Sequence, residues 1–291
     1  MRLWFSGLGL AACAALAAAA RADSSIDATN KYAYGANVGW VNLRGDATNG
    51  VVVGQFTCRG YAYAANVGWI RFGNGAPANG IRYGNAAIGD CGVNHDGAGR
   101  LAGFAYGANV GWIQFEAARG NPRIDLATGK MSGYAYGANV GWIGLSNLQA
   151  HVETDFLAPG PDTDFDGIPD DWELERAGDL TTLGGSYPDG DSVPDVDEYR
   201  ADTDPLGGEH LEIVSLALPP GSNVVAWTAR PTRLYRVEAS NAMPSGASAA
   251  WADAGGGWLG PGVNSPLEHA VAAPADAAQF YRVRAVVPLN P

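Results

Sequence analysis

The residues best spaced for chemistry lie in Asp162-Thr-Asp164-Phe-Asp166-Gly167-Ile168-Pro-Asp170-Asp-Trp-Glu173. Carboxylates at loop positions 1, 3, 5 and 9, glycine at 6 and glutamate at 12 reproduce the ligand pattern of an EF-hand calcium loop. In a tightly turning loop alternate side chains converge on one point, and Gly167 permits the bend. Ile168 would contribute its backbone carbonyl, Asp170 would act directly or through water, and Glu173 would close the sphere with two oxygens. An all-oxygen set without His or Cys favours calcium over zinc. A second stretch places Asp189, Asp191, Asp195 and Glu198 at positions 3, 5, 9 and 12. It has Tyr187 at position 1 and Ser192 at position 6, so it is the weaker site. A run of acids is often no more than a solvated linker. Against that stand the fixed spacing and the interleaved apolar Phe165, Ile168, Trp172 and Leu174.

These ligands need elements to hold them. Asp170 is suited to cap a short helix running through Trp172-Glu-Leu-Glu-Arg-Ala, with Gly178 ending it. The incoming side, Pro159-Gly160-Pro161, cannot be helical, so the first helix of a true EF-hand is missing. From Asp155 to Pro205 the chain resembles the freestanding calcium loops of thrombospondin type 3 repeats in secreted bacterial proteins. That resemblance implies a metal-stiffened connector rather than a helix-loop-helix. The segment from Glu153 to Asp204 holds 17 of the 30 acids and only Arg176 and Arg200 as bases, which sets it apart as a module.

The module before it is a repeat. Tyr32-Ala-Tyr-Gly-Ala-Asn-Val-Gly-Trp40 recurs as Tyr61 to Trp69, Phe104 to Trp112 and Tyr134 to Trp142. A unit of about 30 residues is repeated, with an insertion after the second copy. Aromatics alternating with Ala are a strand signature, and the Gly and Asn between the limbs can reverse the chain. Each copy is expected to be a β-hairpin, within a unit of three short strands stacked on its neighbours. The aromatics are expected to build the core. The alternative is that Trp40, Trp69, Trp112 and Trp142 stack on the rings of a glycan. Asn37, Asn66, Asn109 and Asn139 should form a ladder of turn hydrogen bonds.

The N-terminus, an apolar run ending Ala20-Arg21-Ala22, reads as a signal peptide cut after Ala22. A lipobox ending at Cys13 is the rival reading. The expected destination is secretion, the periplasm or the cell surface. Cys58 and Cys91 then remain as an isolated pair, expected to form one disulfide. The net charge of −12 argues against nucleic acid or anionic membrane as partners, and no other stretch is apolar and long enough to span a bilayer. Calcium is the expected partner, with a cell-surface glycan or protein as a possible second.

After Leu211 the pattern turns strand-like again, over Leu211 to Leu218, Asn223 to Thr228, Leu234 to Ala239 and Phe280 to Val286. Leu234-Tyr-Arg-Val-Glu238 and its echo Phe280-Tyr-Arg-Val-Arg284 resemble the fibronectin type III-like sandwiches that end many secreted bacterial proteins. Alternation puts Tyr235 and Val237 on one face and Arg236 and Glu238 on a wet one. No nucleophile elbow, zinc helix or phosphate loop occurs, and His95, His151, His210 and His269 are scattered, each expected at the surface. The fold expected is mainly β: a signal peptide at 1–22, an aromatic repeat domain at 23–150, a calcium-binding connector with a small helix at 151–208 and a β-sandwich at 209–291. No enzymatic activity is expected. The role expected is structural or adhesive, with calcium stiffening the connector, or alternatively glycan binding.

Overall fold

The computed structural model describes residues 24–45, 48–184, 187–241, 250–261, 265–273 and 279–290. The expected signal peptide and Cys13 lie outside them. The fold is mainly β, with two seven-residue helices, α1 (Asp170–Arg176) and α2 (Asp195–Ala201). Among the described residues no helix is long and apolar enough to cross a membrane.

Each aromatic repeat is a hairpin. The first pairs Ile26–Gly35 with Gly39–Asn42, the second Cys58–Ala64 with Gly68–Gly73, the third Leu101–Gly107 with Gly111–Phe115 and the fourth Tyr134–Gly137 with Gly141–Gly144. The turn is the same in all four: the Val38 N–H donates to Gly35 O, as do Val67, Val110 and Val140 to Ala64, Gly107 and Gly137. The glycine that follows, Gly39 in the first copy, sits at φ 75°, where a side chain would be strained.

The hairpins do not stack. They stand side by side and close into an antiparallel barrel, because Val41 pairs with Ala64, Ile70 with Gly107, Ile113 with Gly137 and Ile143 with Gly35. Inside it, each small residue faces a large one: Ala33 opposite Val41, Ala62 opposite Ile70, Ala105 opposite Ile113 and Ala135 opposite Ile143. All eight are buried. An eight-stranded barrel has room for little more than this.

That geometry overturns the expectation that the aromatics form the core. Side chains alternate across a strand, so filling the narrow interior with Ala, Val and Ile sends Tyr and Trp outward. Trp40, Trp69, Trp112 and Trp142 are 40 to 47% exposed, and each rests on two rings of its own hairpin. At the turn end, the asparagines close a ring. Asn37, Asn66, Asn109 and Asn139 each donate from Nδ2 to the carbonyl of Val140, Val38, Val67 and Val110 respectively, at 3.0–3.2 Å. The expected ladder is thus a circle joining each turn to its neighbour.

A further strand, Val152–Thr154, pairs with the first hairpin, and Leu157 belongs to the same core, so this module continues past residue 150. The insertion after the second hairpin is held without a disulfide. Cys58 and Cys91 are both free. Cys58 faces the core, where burial pushes its thiol up to about 12, while the Cys91 thiol contacts Ala87 O at 3.0 Å. Tyr83 does the fastening instead: its ring packs on Gly92, its hydroxyl donates to Cys58 O at 3.2 Å, and its backbone exchanges bonds with Asn94.

At the C-terminal end two three-stranded antiparallel sheets face each other. One holds Ile213–Ala217, Ser222–Trp227 and Leu267–Ala272; the other holds Ala252–Asp253, Leu234–Ser240 and Phe280–Val286. Val225, Trp227, Tyr235 and Val237 fill the space between them. The outer face expected to be wet is partly covered. Glu238 is only 3% exposed and paired with Arg236 and with Arg282, whose guanidinium groups lie over Trp258 and Trp251.

Candidate metal centre

The acidic segment between the two β modules is not a free linker. Ile168, Trp172, Leu183 and Tyr199 form a small core with Phe56 of the barrel module, and the Trp172 and Tyr199 rings meet edge to face at 5.5 Å. Arg82 grips Glu175 with two hydrogen bonds, and Gln55 Nε2 donates to the Tyr199 hydroxyl at 2.7 Å. On the other side Asp202 accepts from Trp172 Nε1 at 3.0 Å, Arg176 Nη2 at 2.9 Å and the Thr232 hydroxyl. Burial raises the Asp202 carboxyl, but Arg233, Thr232, Trp172 and Arg176 outweigh it and hold the group below its ordinary range. Arg233, itself 4% exposed, donates to the carbonyls of Tyr199 and Arg200 at the end of α2.

Both helices begin after a proline, Pro169 and Pro194, and neither has a side-chain cap. Asp170 is the first residue of α1 rather than its cap, and its Oδ1 accepts from Thr163 N at 2.8 Å. Gly178, at φ 81°, follows the end of α1 and its N–H reaches Glu173 O. Three carboxylates in the first turn of each helix face the positive end of its dipole.

The first loop gathers its carboxylates as the spacing requires. Oxygens of Asp162, Asp164 and Asp170 lie within 4.8 Å of one another, and so do those of Asp164, Asp166 and Glu173. Asp162 Oδ2 accepts from Gly167 N and Asp166 Oδ1 from Ile168 N, which fixes the turn. The remaining oxygens, Asp162 Oδ1, Asp166 Oδ2 and both of Glu173, are buried without a hydrogen-bond partner. Glu173 has no exposed surface. Burial, then the negative charges of Asp166, Asp164, Asp170 and Asp162, push its carboxyl up to about 7. Ile168 is fully buried and anchors the loop, whereas Phe165 is 82% exposed and no part of the core.

The second loop is built alike despite its two departures. Asp189, Asp191 and Glu198 bring oxygens within 4.8 Å of one another. Tyr187 is turned to solvent and Ser192 adopts φ 130°, the backbone that glycine supplies in the first loop. Glu198 is fully buried with Oε2 unpartnered, and burial pushes its carboxyl up to about 7. Asp195, also buried, accepts from Gly184 N at 3.0 Å, and Gly184 lies against Asp166 of the first loop. One glycine thus touches both carboxylate sets. Sequence reasoning missed His210, whose Nδ1 stands 3.4 Å from Asp191 Oδ2, and Asp171, a buried acid that packs on Gly160. A histidine soon after Asp204-Pro205 gave no motif signal, and Asp171 falls between ligand positions.

The histidines form no cluster. His151 contacts Glu153 at 3.1 Å, His269 contacts Gly255 O, and His95 is fully buried, contrary to its expected place at the surface. No family model matches the chain, and no curated protein or solved structure matches it.

Proposed function

We propose that this chain is a secreted, calcium-binding, non-catalytic structural or adhesive protein, in which calcium rigidifies the connector between two β modules. The observation that carries the reading is Glu173. A carboxylate with both oxygens buried and unpartnered, facing further acids, is unfavourable unless a cation completes it. Asp162, Asp164, Asp166, Asp170 and Glu173, with the Ile168 carbonyl, would hold the first ion. Asp189, Asp191, Asp195 and Glu198 would hold a second with fewer oxygens. Hard oxygen donors at flexible loop positions suit calcium better than a transition metal. The resemblance of these loops to thrombospondin type 3 repeats, and of the C-terminal strands to fibronectin type III-like modules, supports an extracellular setting.

The helix that presents Asp170 and Glu173 also makes the connector's internal contacts, since Trp172 and Arg176 of α1 both donate to Asp202. Calcium would therefore fix the connector and the contacts it makes on either side. Small-angle scattering and limited proteolysis, with calcium and with EGTA, test this. A compact particle that expands in EGTA and is then cut between residues 160 and 210 is expected. Identical scattering and identical cleavage in both states would overturn it.

A further inference from the structure

The outer wall of the barrel carries a second kind of feature, independent of the acidic loops. Between the third and fourth hairpins lies a cleft of about 120 Å³ lined by Gln114, Glu116, Arg119, Gly120, Tyr134, Tyr136 and Trp142. Its platform is the Trp142 ring, 47% exposed and held by Tyr136 at 4.9 Å and Tyr134 at 6.2 Å. Gln114 sits directly opposite Tyr136 in the register. Gly120 keeps the cleft open: a Cβ there would lie 3.3 Å from the Trp142 ring and strike the Tyr134 carbonyl.

The first and second hairpins repeat the construction. Trp69 rests on Tyr63 at 5.0 Å and Tyr61 at 6.3 Å, Asn42 stands opposite Tyr63, and a Cβ on Gly45 would lie 3.1 Å from the Trp69 ring. In a closed ring of four hairpins the second and fourth stand on opposite sides. The Trp platform with its facing amide is therefore presented twice, on opposite sides of the barrel, with Arg44 where the Trp142 cleft has Glu116.

None of this is needed to close the barrel, whose core is complete without the rings. Exposed rings clustered beside polar groups mark binding surfaces. The charges identify the ligand class. Glu116 and Arg119 lie 3.8 Å apart and compensate each other, so the cleft is close to neutral, and the chain as a whole repels anions at −12. We infer that the cleft at Trp142, and with it the matching ring platform at Trp69, binds neutral polysaccharide. A pyranose offers an apolar face of C–H groups to the indole and a rim of hydroxyls to the amides of Gln114 or Asn42 and to the tyrosine hydroxyls. Two opposed ring platforms would let one molecule engage two chains, or two stretches of a surface, and gain by multivalency.

Affinity electrophoresis of the full secreted chain in calcium, through gels containing β-glucan, xylan, mannan or, as controls, polygalacturonate and a proline-rich peptide conjugate, tests the inference. At least one neutral polymer should retard the protein. Trp142→Ala and Trp69→Ala should each weaken retardation by about tenfold at the affected platform, and the double variant should abolish it. Gln114→Ala and Asn42→Ala leave the rings in place and should weaken binding less, with unchanged circular dichroism. Retardation by the controls alone, by no neutral polymer, or to the same extent in the double variant would overturn the inference.

Discussion

Two buried ionisable side chains divide this molecule by the way each is satisfied. His95 of the barrel module is fully buried, yet both its ring nitrogens are used: Nδ1 lies 3.0 Å from Gly54 O and Nε2 accepts from Gly99 N at 3.1 Å. Glu173 of the connector is buried as deeply and has no hydrogen-bond partner for either oxygen. A neutral imidazole between a carbonyl and an amide is a finished structure. A carboxylate among carboxylates, with neither oxygen bonded, is unfavourable in its ionised form, and that is the basis on which we propose a bound cation. On the proposed reading the barrel should be indifferent to added metal while the connector should depend on it.

The largest effect that would sharpen this contrast comes from Trp172→Ala. It removes the fully buried ring that joins the two loops and should cost about 3 to 5 kcal/mol. Loss of the connector's protection in hydrogen exchange, with the barrel amides unaffected, is the expected pattern. Calcium at about 100 times its dissociation constant should stabilise the connector by about 2.7 kcal/mol, read as a rise in its thermal transition that EGTA reverses. A barrel transition that moved as far would break the contrast.

Acid should act on the barrel through His95. Burial holds its pKa below the ordinary value, against the Gly54 bond and Asp96 that favour the cation, so the folded state keeps it neutral. The unfolded chain then binds the extra proton, and barrel stability is lost as pH falls below about 6.5. Thermal melts in EGTA between pH 8 and 5 should show this decline, and His95→Gln should flatten it. The smallest effect expected is Asn139→Ala, which opens one link of the asparagine ring and should cost about 1 kcal/mol, with the barrel still closed.

Much of this was legible in the sequence. The repeat announced hairpins, and the positions of the glycines announced their turns. The strands from Leu234 and Phe280 were predicted within a residue or two, because Tyr235 and Val237 alternate with charged neighbours over a full strand. The carboxylate spacing also anticipates the groupings of Asp162, Asp164 and Asp170, of Asp164, Asp166 and Glu173, and of Asp189, Asp191 and Glu198, although Asp195 is not in the last of them. What could not be read was the closure. Period-2 alternation says that Tyr34 and Ala33 face opposite ways but not which way is in, and only the ring of four pairings makes the interior too narrow for Trp. The absence of a disulfide was equally hidden, since nothing local to Cys58 or Cys91 shows that Tyr83 already fastens the insertion. Glu238 was assigned to water because strand alternation does not reveal that Arg236 and Arg282 fold over it.

The central claim, that the loop from Asp162 to Glu173 holds calcium through its buried glutamate, is tested most directly by calorimetric calcium titration of the protein beside Glu173→Ala and Asp162→Ala. A binding isotherm with a dissociation constant of about 0.1 to 1 mM is expected for the unaltered protein. Loss of its stronger phase in both variants is the predicted result. Unchanged heats in the variants would contradict the account.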